Sequence, residues 1–136
     1  MKLITRDTDY AVRALVYMAD DPDRVTTAQE LVDQLGMPRA FSRRILQVLS
    51  REGILKSVKG KGGGFTIRKP LTKVYLSDVM EAFQGRLQAV GCLFKKKVCP
   101  NTRVCPLRGR IRQVEKNLFA ELRGITVSYL AKGGRR

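Results

Sequence analysis

Apolar positions recur at helical spacing from near the start of the chain. Ala11, Val12, Leu15, Val16 and Met18 share one face of a segment running from Thr8 to Ala19, and Asp20-Asp21-Pro22 then stops the pattern. This predicts a first helix. Thr27 followed by Glu30 is a capping-box pattern, in which hydroxyl and carboxylate satisfy free amides at a helix start. Leu31, Val32 and Leu35 supply the apolar face of this second helix, and Gly36 ends it. Pro38 suits the first position of a third helix, with Phe41, Ile45, Leu46 and Leu49 on its apolar side and Gly53 closing it. Two helices joined by a tight Gly36-Met37 turn are the sequence expectation for a helix-turn-helix, whose second helix enters the major groove of DNA.

The period then changes. Ile54 to Val58 and Phe65 to Ile67 are short and rich in branched or aromatic residues, and Gly60-Lys61-Gly62-Gly63-Gly64 between them reads as a hairpin tip, the wing. Ser77 is placed to cap a short helix through Phe83. Gln84 to Val104 is weakly periodic and longer than structural loops normally run, as functional or disordered loops are. Arg110 to Gly124 predicts a longer helix with Ile111, Val114, Leu118, Phe119 and Leu122 on one side. A winged-helix core is complete without that stripe, so it is assigned to a second subunit in a symmetric dimer whose two reading helices match a palindromic site. Packing within the chain is the alternative. The fold class is therefore mainly α with a small β-hairpin. A winged helix-turn-helix domain takes residues 1–83, and residues 84–136 hold a cysteine-bearing loop and a long C-terminal dimerisation helix.

Charge sharpens this picture. The 136 residues, 43% of them apolar, suffice for one compact domain or a small domain with an oligomerisation element. Twenty-seven Lys and Arg against twelve Asp and Glu give a net charge of +15, which implies a polyanionic partner, with double-stranded DNA foremost. From Arg39 to Lys73 there are ten basic residues and a single acid, Glu52, so the charge gathers on the segment expected to face DNA. Solvated helix faces are the bland alternative. Arg39, Ser42 and Arg43, on the early turns of the third helix, are candidates for base edges, and arginine pairs best with guanine. Arg44 is assigned to a phosphate. Gly62, Gly63 and Gly64 would let the wing backbone approach the minor groove, with Lys59 and Lys61 on the sugar-phosphate rails.

Other classes are excluded or disfavoured. No run approaches the ~18 apolar residues of a membrane span, and Met1 to Tyr10 lacks a signal-peptide core. A cytoplasmic protein without a membrane partner is expected. An enzyme is not: there is no histidine, no nucleophile motif and no phosphate loop, and the glycines after Lys59 lie between strands and open no helix.

The only cysteines, Cys92, Cys99 and Cys105, fall within fourteen residues. In a reducing compartment an odd, clustered set reads as metal or redox chemistry sooner than as a disulfide framework. The C-x6-C-x5-C spacing fits zinc poorly, because zinc sites use closer cysteine pairs and often histidine. A thiol switch stays open, since Lys95, Lys96, Lys97 and Arg103 nearby favour thiolates. Inert burial suits so polar a loop least.

The stretch Thr8-Asp9-Tyr10-Ala11, the helix pair up to Leu49, the wing from Val58 to Phe65 and the cysteine trio together resemble the IscR and NsrR type of bacterial winged-helix iron-sulfur regulators, the Rrf-two family. The resemblance runs through most of the chain. It implies a homodimeric transcription regulator, usually a repressor, whose long helix crosses to the partner. A [2Fe-2S] or [4Fe-4S] cluster would control its operator affinity in response to iron, oxidants or nitric oxide. Cys92, Cys99 and Cys105 match the cluster ligands, although the first gap is one residue longer than the familiar five. IscR-like members use a histidine three residues after the last cysteine, where this chain has Arg108. NsrR-like members use an aspartate early in the first helix, supplied by the other subunit, and Asp9 stands there. A carboxylate in a helix's first turn is also favoured by the helix dipole alone. Members that read a common motif carry an acid where Arg43 stands, which implies a different target sequence. The rival readings are a clusterless thiol switch and a regulator controlled by a protein partner docking on the C-terminal half.

Overall fold

Thr5 starts the first helix. In the computed structural model, which describes residues 3–85 and 106–133, the Thr5 hydroxyl accepts from the Thr8 amide at 3.3 Å and α1 spans Arg6–Met18. The apolar pattern alone placed this start two residues late, because Arg6 and Asp7 carry no apolar signal. Asp7 and Asp9 lie in the first turn, the dipole's positive end. Ala11, Ala14, Leu15 and Met18 are buried.

Thr27 caps α2 (Ala28–Leu35) by accepting from the Glu30 amide at 3.0 Å, and Gly36 ends it in the left-handed region at φ 67°. Only half of the expected capping box forms: the Glu30 carboxylate turns instead to Arg24, at 2.5 Å, and to the Tyr17 hydroxyl. Pro38 flanks α3 (Arg39–Arg51) as its cap residue, one position before the expected place. Ile45, Leu46 and Leu49 are fully buried with Leu15 and Leu31 in the main core. Each such side chain contributes roughly 1.5–3 kcal/mol on leaving water.

The wing follows. Strands β1 (Leu55–Val58) and β2 (Gly64–Ile67) pair antiparallel, with Leu55 opposite Ile67 and Val58 opposite Gly64. Thr26 adds a bridge on the far side of β2, exchanging backbone bonds of 2.8 and 2.9 Å with Phe65. This third edge is what demands a glycine at 64, since a Cβ there would stand 2.6 Å from the Thr26 carbonyl oxygen.

A 3₁₀ turn at Leu71–Lys73 leads to α4 (Leu76–Gln84). Its start is organised by Asp78, whose carboxylate accepts from the Tyr75 amide at 3.0 Å. Ser77, the expected cap, lies inside the first turn and is buried. Helix α5 (Pro106–Arg123) splits the expected stripe in two. Phe119 and Leu122 pack within the chain on Leu76 and Met80 of α4, whereas Val114 is 55% exposed; Leu107, before the expected start of the helix, is 70% exposed. The chain then returns. Thr126 caps the short α6 (Val127–Ala131), Val127 bonds back to the Val74 carbonyl at 2.8 Å, and its side chain is fully buried in the main core. Val127 thus joins the core built from the first four helices and the wing. Among the described residues no helix is long and apolar enough to cross a membrane.

Candidate nucleic-acid interface

Helix α3 buries one face and offers the other. Arg39, Arg43, Gln47 and Arg51 are exposed and four residues apart, so they form one line along the helix, with Ala40 and Arg44 exposed on the adjacent line. This line is the candidate surface for base edges, and Arg39 and Arg43 stand on it. Ser42 does not. It is fully buried, and its hydroxyl donates to the Ala28 carbonyl at 2.7 Å, which joins α3 to the first turn of α2. The signal was present in the sequence, since positions 42, 45, 46 and 49 share one helical face.

Arg44 lies on the flank toward α1. Its guanidinium is ion-paired to Asp7 and stands 5.9 Å from the centroid of the Phe41 ring, which Arg6 also approaches at 5.9 Å. Tyr10 meets the same ring at 5.9 Å with a 57° tilt. The Asp7 partner is a residue the sequence reading missed, because nothing local marks a contact between residues 7 and 44.

On the wing, Lys59, Lys61 and Gly62 are exposed. Gly62 takes a positive φ of 79° with open space around its Cα. Gly63 and Gly64 are glycines for an internal reason: a Cβ on Gly63 would lie 2.2 Å from the Val58 carbonyl oxygen, and Gly64 faces Thr26. Their small size is set by the wing's own packing, whatever the wing meets outside.

Asp9 lies one turn into α1, where its carboxylate accepts from Arg13 Nε at 2.8 Å and its side chain stays 49% exposed. Cys92, Cys99 and Cys105 lie outside the described residues, and among the described residues no three His, Cys, Asp or Glu side chains come together as metal ligands. Arg108, where IscR-like chains place histidine, is on the first turn of α5. Gln84 Oε1 accepts from the Thr5 amide at 3.1 Å and from the Thr8 hydroxyl at 2.7 Å, while Gln84 Nε2 donates to the Leu3 carbonyl at 3.0 Å. The end of α4 is thus fastened to the start of α1. Sequence reasoning had no signal for this contact between residues some 79 positions apart.

A second polar group braces α1 against α2. Arg24 spans Glu30 and the Tyr17 ring, 5.8 Å from its centroid. The Arg24 guanidinium holds the Glu30 carboxyl below its ordinary range, and the hydrogen bond to Glu30 pushes the Tyr17 phenol up.

Residues 4–133 match the family model Rrf2, described as an iron-dependent transcriptional regulator. Protein aau3 of Rhizobium meliloti (strain 1021) is 29% identical over 130 residues, covering 95% of this chain and 84% of that protein. The fold is similar to CymR (YrzC), the global cysteine regulator of B. subtilis, with a TM-score of 0.75, 20% identity and coverage of 97% and 98% of the two chains. It is also similar to T. potens IscR, with a TM-score of 0.74, 18% identity and coverage of 99% and 89%. At such identities the solved structures establish the winged-helix fold alone.

Proposed function

This chain belongs to the Rrf2 family of transcriptional regulators, and from that premise we propose that it is a cytoplasmic, homodimeric DNA-binding repressor whose operator affinity is set by an iron-sulfur cluster on Cys92, Cys99 and Cys105. The observation that carries the DNA part is the exposed line of Arg39 and Arg43 on α3, accompanied by Lys59 and Lys61 on the wing. In the bound state α3 lies in the major groove with the arginines at base edges, and the wing lysines meet phosphates. The exposed Leu107 and Val114 on α5 are the surface assigned to the second subunit, which sets the spacing of the two reading helices.

The donor set fits a cluster. Three thiolates suit iron-sulfur ligation, the chain has no histidine, and Asp9 offers a carboxylate that is half exposed and so reachable from a partner subunit. When bound, the cluster supplies an iron centre sensitive to iron supply, oxidants or nitric oxide. Asp9 would have to leave Arg13 to serve it, and an exposed i,i+4 pair of this kind is worth only about 0.3–0.5 kcal/mol. Gln84, at the end of α4, holds the start of α1, the helix that carries Asp9.

The test is iron and acid-labile sulfide per chain on anaerobically purified protein, with duplex binding measured before and after cluster loss. Cys99→Ala should abolish iron uptake while the dimer still folds, and Asp9→Ala should keep iron but lose it faster. A Cys99→Ala protein with full iron content sinks the assignment. Colourless protein that resists reconstitution, with DNA affinity that follows the thiol redox state, moves the case to a thiol switch. That second reading is favoured by the oxidized form in which S. aureus CymR, of the same fold at a TM-score of 0.68, has been solved. Affinity indifferent to iron and oxidants would instead point to a partner protein.

A further inference from the structure

We propose that Asp7 is an internal competitor for DNA phosphate, holding Arg44 on the flank of the reading helix until phosphate replaces it. The inference rests on the reading of α3 as the helix that enters the groove. A helix seated there has base edges under its central line and phosphate rails along its flanks. Arg39 and Arg43 occupy the central line, and Arg44, one line over, is on a flank. Its side chain is 60% exposed, yet its guanidinium is already taken by a carboxylate.

That carboxylate is fixed in place. Asp7 is only 17% exposed and sits in the first turn of α1, which is held at Thr5 by its cap and at Thr5 and Thr8 by Gln84. Arg44 reaches across to it, steadied over the Phe41 ring. One guanidinium N–H of Arg44 meets one carboxylate oxygen of Asp7, and a phosphate oxygen is an equivalent anionic acceptor that can take its place. The pair has a second effect in a chain of net charge +15: Asp7 puts a negative charge beside the phosphate rail, where it opposes binding. Together these make Asp7 a determinant of DNA affinity that touches no DNA.

The experiment is a double-mutant cycle on the full-length protein, with Asp7→Asn, Arg44→Gln and the double variant. Affinity for a mixed-sequence duplex would be measured by fluorescence anisotropy across a salt series, and thermal melts would confirm folding. Asp7→Asn is expected to tighten binding by roughly 3- to 10-fold, because Arg44 no longer has to leave a carboxylate, with the dependence of log K on log salt little changed since Arg44 meets phosphate in both complexes. Arg44→Gln should weaken binding, and in that background Asp7→Asn should tighten it clearly less than in the wild type, by the general charge effect alone. Arg44→Lys, which keeps charge but loses the fork, should respond to Asp7→Asn less than the wild type does. Equal tightening by Asp7→Asn in both the Arg44 and Gln backgrounds overturns the proposal, because Asp7 then acts as bulk charge. Weaker binding by a well-folded Asp7→Asn protein also overturns it. Wild-type protein that binds no duplex would remove the regulator reading itself, a failure distinct from a cycle without coupling.

Discussion

The Ser42 hydroxyl and the Ala28 carbonyl are 2.7 Å apart, a hydrogen bond from the buried side of α3 to the first turn of α2. It ties the buried side of the reading helix to its neighbour in the helix-turn-helix. Ser42→Ala should therefore cost stability, about 1 kcal/mol for one buried neutral bond, while leaving the electrostatics of the DNA face unchanged. Thermal melts should show Tm lower by roughly 3–5 °C, with the salt dependence of duplex binding unaltered. A large change in that dependence would mean that Ser42 reaches DNA after all.

Arg43 and Lys61 should fail differently. Arg43 stands on the central exposed line of α3 and Lys61 on the wing. Arg43→Ala is expected to cost about 1–3 kcal/mol on the cognate operator and much less on mixed sequence. Lys61→Ala should weaken both to the same extent and reduce the salt slope by about one. Competition assays with the two duplexes separate the outcomes.

The wing glycines make an ordering test. Gly64→Ala drives a Cβ to 2.6 Å from a backbone oxygen that cannot give way, so it should destabilise by about 1–3 kcal/mol. At Gly62 a Cβ meets nothing and only the positive φ of 79° opposes it, at about 1 kcal/mol. Urea unfolding of the two variants should rank Gly64→Ala as the weaker protein.

Glu30 links stability to acid. Its folded pKa lies below the ordinary carboxylate value because Arg24 stabilises the charged form. The ionised pair stabilises the fold above the unfolded pKa and is lost as pH falls through the depressed folded value. Glu30→Gln should lower Tm by roughly 2–4 °C at pH 7, and the gap to wild type should close as pH falls below the ordinary glutamate range through the depressed folded value. Melts across a pH series check this, and a gap that persists in acid would refute the assignment.

Val114 tests the dimer. At 55% exposure on α5 it belongs to neither buried cluster of the described residues, so Val114→Glu should leave the monomer's melting behaviour nearly intact while shifting sedimentation toward monomer. Operator binding should weaken with it, since each monomer would then engage one half-site.

Three helices, the turn between the second and third, and the glycine wing were legible in the sequence, because periodicity, a threonine cap and glycine or proline punctuation act within a few residues of themselves. Local signals also misled where two roles share a residue type. Serine on α3 looked polar and outward but satisfies a carbonyl inside, and Glu30, which completes a capping box in sequence, goes to Arg24 and Tyr17. The cysteine trio was conspicuous in sequence, yet it lies outside the described residues, so its chemistry rests on the donor set. Tertiary structure alone decided the Asp7–Arg44 pair, the Gln84 clamp on α1, the return of Val127 to the core and the division of the α5 stripe between α4 and solvent. Those contacts join residues tens of positions apart, and the free energy that selects them comes from packing whole elements together, for which no period along the chain exists to be read.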